Sequence, residues 1–165
     1  MINRFPMMRI RTVKVAVLAF GFVLAACIEQ TAATPRNSGD LTIREASEQP
    51  VSGWVALKFA DSTLGEIYVA PTPALTLDDI QNGEQTRDEA GRPAIMISFT
   101  KAGADKMRKF TSEHIGKKAA IVFKGQVMNA PMILAAISSR VIMTKGDLGL
   151  SAEEVQSILT VINQK

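Results

Sequence analysis

The stretch from Gly116 to Pro131 (Gly-Lys-Lys-Ala-Ala-Ile-Val-Phe-Lys-Gly-Gln-Val-Met-Asn-Ala-Pro) constrains the fold more than any other part of the chain. Ala119 to Phe123 is an unbroken apolar run containing β-branched and aromatic residues, the pattern of a strand buried on both faces. Lys124-Gly125 supplies a tight turn, because glycine accepts positive φ without a Cβ clash. Gln126 to Met128 then folds back as the partner strand, and Pro131 ends regular pairing because it has no N–H. Gly116 stands where a left-handed residue stops a preceding helix.

The elements on either side set the class. Trp54–Phe59 and Ile67–Ala70 read as strands, separated by turn residues and followed by Pro71 and Pro73. Thr76 is placed to cap a short helical turn over Leu77-Asp78-Asp79. Asn82 to Gly91 is polar and reads as a loop, and Pro93–Phe99 as a strand with Ile95, Ile97 and Phe99 on one face and Ala94 and Met96 on the other. Thr100 opens a helix to about Ile115, on which Gly103, Met107, Phe110 and His114 share a narrow sector. Val141–Met143 is a further strand, and Ser151-Ala-Glu-Glu154 is a capping box that opens a last helix. The expected fold is α+β, a ferredoxin-like antiparallel sheet with two helices packed on one face. The second apolar face of that sheet, with Ala94, Met96, Ala120 and Val122, needs a cover; the strands around Trp54 and Ile67 are the expected one.

The N-terminal region is of another kind. Arg4, Arg9, Arg11 and Lys14 precede a twelve-residue apolar stretch, Val15 to Ala26, which is too short to span a bilayer comfortably. This is the pattern of a secretory signal peptide over residues 1–26. Leu24-Ala25-Ala26-Cys27 resembles a bacterial lipobox, which makes Cys27, the one cysteine of the chain, the expected lipidation site and membrane anchor. Removing the four leader bases from nineteen leaves fifteen against sixteen acids, so the basic balance belongs to the leader and gives no support for nucleic acid. Residues 27–50, polar and broken by Pro35, Gly39 and Pro50, are expected to be a flexible tether spanning roughly 25–30 Å; residues 51–165 are the expected domain.

The central segment also resembles a known family. Gly116-Lys117-Lys118, the strand to Phe123, Lys124-Gly125, Val127 and Asn129-Ala130-Pro131 follow the order of the head part of the first periplasmic domain of SecD, and the likeness extends from about Leu75 to the end of the chain. SecD-type proteins work with SecF in bacterial protein export, and their head is thought to contact emerging polypeptide. The resemblance implies an envelope location, facing the periplasm, and a polypeptide client or a Sec translocon component as partner. Lys124, Gly125, Gln126, Asn129, Ala130 and Pro131 are the candidate partner-binding residues. The sequence departs from the family pattern at Lys124, at His114 and at Ser138-Ser139-Arg140.

Reactive chemistry is sparse. His114 is the only histidine, and beside Met107 and Phe110 it reads as a packing or rim residue. A metal site would need further His or Cys ligands, and a serine triad would need His114 as its base. Asp78-Asp79 and Glu153-Glu154 fit helix starts. No phosphate-binding glycine loop is present. The expectation is a non-enzymatic binding module without cofactor or metal. The competing reading, a hydrolase or small-ligand binder, would require a polar pocket formed by His114, Asp78 and Asp79. Ile28 after the cysteine favours the outer over the inner membrane.

Overall fold

The computed structural model describes residues 39–164. The expected leader, the expected lipidation site Cys27 and the expected tether up to residue 38 lie outside the described residues.

The class is α+β, and the described residues form nine strands and two α-helices in order: β1 (Leu41–Ser47), β2 (Val55–Lys58), β3 (Glu66–Val69), β4 (Leu75–Thr76), β5 (Ile80–Arg87), β6 (Pro93–Phe99), α1 (Lys101–Glu113), β7 (Lys118–Phe123), β8 (Gln126–Asn129), β9 (Arg140–Met143) and α2 (Ala152–Asn163). Pairing between these strands is antiparallel throughout. The strands divide between two sheets. One runs β2-β3-β1-β7-β8, with β4 also on β1, and the other runs β5-β6-β9.

The apolar run in β7 behaves as a strand buried on both faces. Ala119, Ile121 and Phe123 enter the main core with Leu41, Ile43, Met107, Phe110, Ile158 and Ile162. Ala120 and Val122 point the other way, into a second core with Ala46, Ile67, Val69 and Val127, against which Leu57 and Phe59 pack. That second core exists because the larger sheet curls. A parallel bridge joins Phe59 to Val127, and Ala60 N–H donates to Val127 C=O (2.9 Å), so β2 comes back alongside β8. The expected cover for Ala120 and Val122 is therefore present from the Ile67 strand, though Trp54 is not in that cluster. Ala94 and Met96 belong to the other sheet.

Two expectations need correction. Leu41–Ser47, placed in the tether, is β1, the strand between β3 and β7. Leu41 and Ile43 are buried because Phe123 and Ile121 pair opposite them. The expected loop Asn82–Gly91 is mostly strand β5, which pairs with β6 from Ile80 to Arg87 around a bulge at Gln81 and turns a largely polar face outward. Gly83 is its close-packed point: a Cβ there would lie 3.0 Å from Ile162 Cδ1 of α2.

The helices start where the sequence places them. Thr100 Oγ1 accepts from Gly103 N–H (3.0 Å) at the start of α1, and Ser151 and Glu154 form the capping box of α2. Thr76 heads a 3-10 turn over Leu77–Asp79, where Asp79 accepts from Thr76 N–H (3.1 Å) and from Lys106 Nζ (2.7 Å). No helix among the described residues is long and apolar enough to cross a membrane.

Candidate functional site

The connection from β8 to β9 carries seven consecutive apolar residues, Pro131-Met-Ile-Leu-Ala-Ala-Ile137. Such a run normally reads as buried core. Here Ile133 is buried, but Met132 is 54% and Leu134 79% exposed. The first part extends the line of β8 along β7: Ala119 N–H donates to Pro131 C=O, Ile133 N–H to Lys117 C=O and Gly116 N–H to Ile133 C=O, at 2.8–3.0 Å. The chain then leaves that sheet and crosses to β9.

One side chain fixes the crossing. Thr111 of α1 is fully buried; its Oγ1 donates to Met107 C=O (2.7 Å) and accepts from Ile137 N–H (2.8 Å). Sequence reasoning missed it, because a threonine on a helix gives no sign that its hydroxyl serves a segment 26 residues away. Thr111→Val keeps the volume and the β-branch but leaves the Ile137 N–H unpaired. A loss of about 1–3 kcal/mol is expected in urea unfolding, with faster hydrogen exchange at Ile137; an unchanged midpoint and unchanged exchange would show that the tie does not hold the crossing.

Under the crossing lies an apolar cleft of about 350 Å³. Met107 and Thr111 line it from α1, Ile43, Ala119 and Ile121 from the larger sheet, Pro131, Met132, Ile133 and Ile137 from the connection, and Arg140, Val141 and Ile142 from β9. Arg140 is the one charged residue of this lining, which holds no carboxylate, imidazole or thiol. Its chemistry is therefore desolvation: each aliphatic side chain seated in such a cleft gains about 1.5–3 kcal/mol from leaving water.

A wider, more polar groove of about 640 Å³ shares Met132 and is rimmed by Glu45, Glu48, Lys117 and Lys118. Glu45 pairs with Lys117 Nζ (2.7 Å) and with His114 Nε2 (3.3 Å). Lys118 hydrogen-bonds Glu48 at 2.9 Å and holds its carboxyl below the usual range. These charges are satisfied by one another, which makes the groove a solvated rim.

The six candidate residues do not form one cluster. Pro131 lines the apolar cleft. Asn129 and Ala130 line a separate pocket of about 380 Å³ with Phe59, Ile67 and Lys118, where Asn129 Oδ1 is buried without a hydrogen-bond partner among the described residues. Lys124, Gly125 and Gln126 lie at the opposite end of β7 from Pro131. The turn has positive φ at both Lys124 (47°) and Gly125 (82°), the requirement of a two-residue hairpin of this kind. Lys124 N–H donates to Asp40 C=O (2.8 Å), and its Nζ lies 5.2 Å over the Phe123 ring. His114 stacks on Phe110 at 4.7 Å, with Nδ1 2.7 Å from Phe110 C=O, at the C-terminal end of α1. Asp79 lies at the other end, where its C=O accepts from Thr100 N–H. His114 and Asp79 are thus a helix length apart and share no pocket.

Among solved structures, a crystal structure of SecDF in a super-membrane-facing form has this fold, with TM-score 0.59 and 27% identity over 74% of this chain and 18% of that one. The family model of the SecDF P1 head subdomain matches residues 55–163, and the chain belongs to that family. The SecDF translocase subunit of Thermus thermophilus is 37% identical over 90 residues, 54% of this chain. The SecD subunit of Rhodobacter capsulatus is 39% identical over 66 residues, 40% of this chain. The matched region spans 12% of the length of each of these two relatives.

Proposed function

We propose that the chain is a non-enzymatic bacterial envelope lipoprotein, anchored through lipid on Cys27, whose SecD-type head binds unfolded apolar polypeptide in protein translocation. The observation that carries this reading is the apolar cleft, with Met132 and Leu134 exposed on the connection that roofs it. Apolar surface kept in water at the mouth of a cleft marks an interaction site. Membership of the SecDF head family and relatives named as protein translocase subunits supply the class of client. In this reading Pro131 is a client contact. Lys124, Gly125 and Gln126 at the hairpin turn, with Asn129 and Ala130, are offered to a Sec translocon component. Ile28 beside the lipidated cysteine favours the outer membrane, with the head facing the periplasm.

Site-specific photocrosslinking in cells tests the proposal. A probe at Leu134 is expected to yield adducts with newly exported polypeptides or translocase components, and a probe at exposed Glu89 is not. Equal adducts at both positions, or none at Leu134, would refute it.

A further inference from the structure

The edges of the two sheets are treated differently. The larger sheet joins its outer strands through Ala60 N–H and Val127 C=O. In the smaller sheet the outer edge of β5 is blocked at Gly83, whose N–H donates to Asn163 Oδ1 and whose C=O accepts from Asn163 Nδ2, both at 3.0 Å. An Asn side chain at the end of α2 thus stands where a neighbouring strand would pair.

Among the described residues, the outer edge of β9 has no such cover. Antiparallel pairing alternates residues that exchange hydrogen bonds with residues that face away. Gly83 turns its backbone groups away from β6, so its partner Ile97 turns its own toward β9, where Val141 is opposite. Phe99 N–H to Ser139 C=O (3.4 Å) has the same phase. Val141 and Met143 therefore bond to β6, and Arg140 and Ile142 present N–H and C=O groups outward. Both line the apolar cleft, and Ile142 is 45% exposed. Proteins usually protect such edges. Here an open edge borders an apolar slot.

We infer that the outer edge of β9 takes an extended apolar polypeptide segment as an added strand, its backbone pairing with Arg140 and Ile142 while alternate side chains enter the cleft. The inference rests on the proposed polypeptide-binding reading of this cleft and adds how the client is held. Main-chain pairing supplies affinity without regard to sequence, and the cleft selects apolar side chains. The occupant matches the site: unfolded chain carries unpaired backbone groups and exposed apolar residues along its whole length, whereas folded proteins usually protect their strand edges. Arg140 places a charge on the edge, a device that disfavours pairing with a second copy.

The test uses the full chain in detergent and a synthetic peptide of alternating leucine and threonine with lysine-capped ends. Its counterpart is methylated at every backbone nitrogen, which keeps the side chains but donates no hydrogen bonds. The parent peptide is expected to bind and to slow hydrogen exchange at the Arg140 and Ile142 amides. The methylated peptide is expected to bind roughly tenfold more weakly. Ile142→Pro, which removes an outward N–H and no ladder bond, is expected to weaken the parent similarly. Equal binding of both peptides with unchanged exchange at Arg140 and Ile142 would overturn strand addition and leave the cleft as a side-chain site. Failure of both peptides to bind, with no adducts from Leu134, would overturn both readings. A doubled mass in light scattering without peptide, abolished by Ile142→Pro, would give the edge to a second copy and also overturn the inference.

Discussion

Gly103→Ala is expected to destabilise the domain by about 3 kcal/mol, although the same change in an exposed helix interior gains about 1 kcal/mol from helix propensity. The sign reverses because α1 begins directly on the 3-10 turn before β5. Asp79 C=O accepts from Thr100 N–H at 2.9 Å and from Thr100 Oγ1 at 3.3 Å, and Thr100 Oγ1 accepts from Gly103 N–H. A Cβ on Gly103 would overlap that same carbonyl oxygen, with the Asp79 carbonyl carbon and Cβ each 2.9 Å away. The obstacle is backbone held by two hydrogen bonds, so the helix start has to move and the capping bonds weaken with it. Overpacking costs of about 1–3 kcal/mol add to lost bonds of about 1 kcal/mol each and exceed the propensity gain. Urea unfolding checks this beside Ala102→Gly at the exposed neighbouring position, which should cost about 1 kcal/mol. A Gly103→Ala protein as stable as wild type would mean that α1 does not rest on Asp79 as described.

The second large effect is proposed for the anchor. Cys27→Ser is expected to abolish incorporation of labelled palmitate altogether. It should also remove the processed protein from the salt-washed membrane fraction. The physical reason is additive burial: one acyl chain holds a protein only marginally at a bilayer, and stable attachment takes more than one such signal. The replacement hydroxyl offers no thioether-forming sulfur for the first lipid. Label retained in the variant would exclude Cys27 as the lipidated residue.

Much of the fold was legible because local signals and tertiary packing agree. Thr100, Ser151 and Glu154 cap the helices they were expected to cap, and Pro93–Phe99 runs as a strand over its expected length. Lys124-Gly125 turns the central hairpin. The failures have a common cause. Leu41–Ser47 alternates apolar and polar residues only over its first four positions, and its stability comes from Ile121 and Phe123, about eighty residues on. Ile80–Arg87 has few apolar residues and is ordered by β6 and by Asn163. The division of β6 and β7 between two sheets was hidden because both are apolar on two faces, and one strand's period does not name its neighbour.

The candidate site was legible only at Pro131. The apolar run that follows it was plain in the sequence, but its exposure depends on where β9 pairs and on the Thr111 tie. The six candidate residues are neighbours in sequence across a hairpin about 20 Å long or less, so proximity along the chain did not become proximity in space.

The position of β1 has a mechanical consequence. Its first residue follows Asp40, whose C=O is held by Lys124 N–H, and the strand then pairs with β7 on one side and with β4 and β3 on the other. Tension arriving through the N-terminal segment would act along β1 and be shared by ladders on both flanks at once. Bonds sheared together resist far greater force than bonds peeled one by one. A pull entering at Asp40 would therefore have to break both flanking ladders together before the sheet gave way.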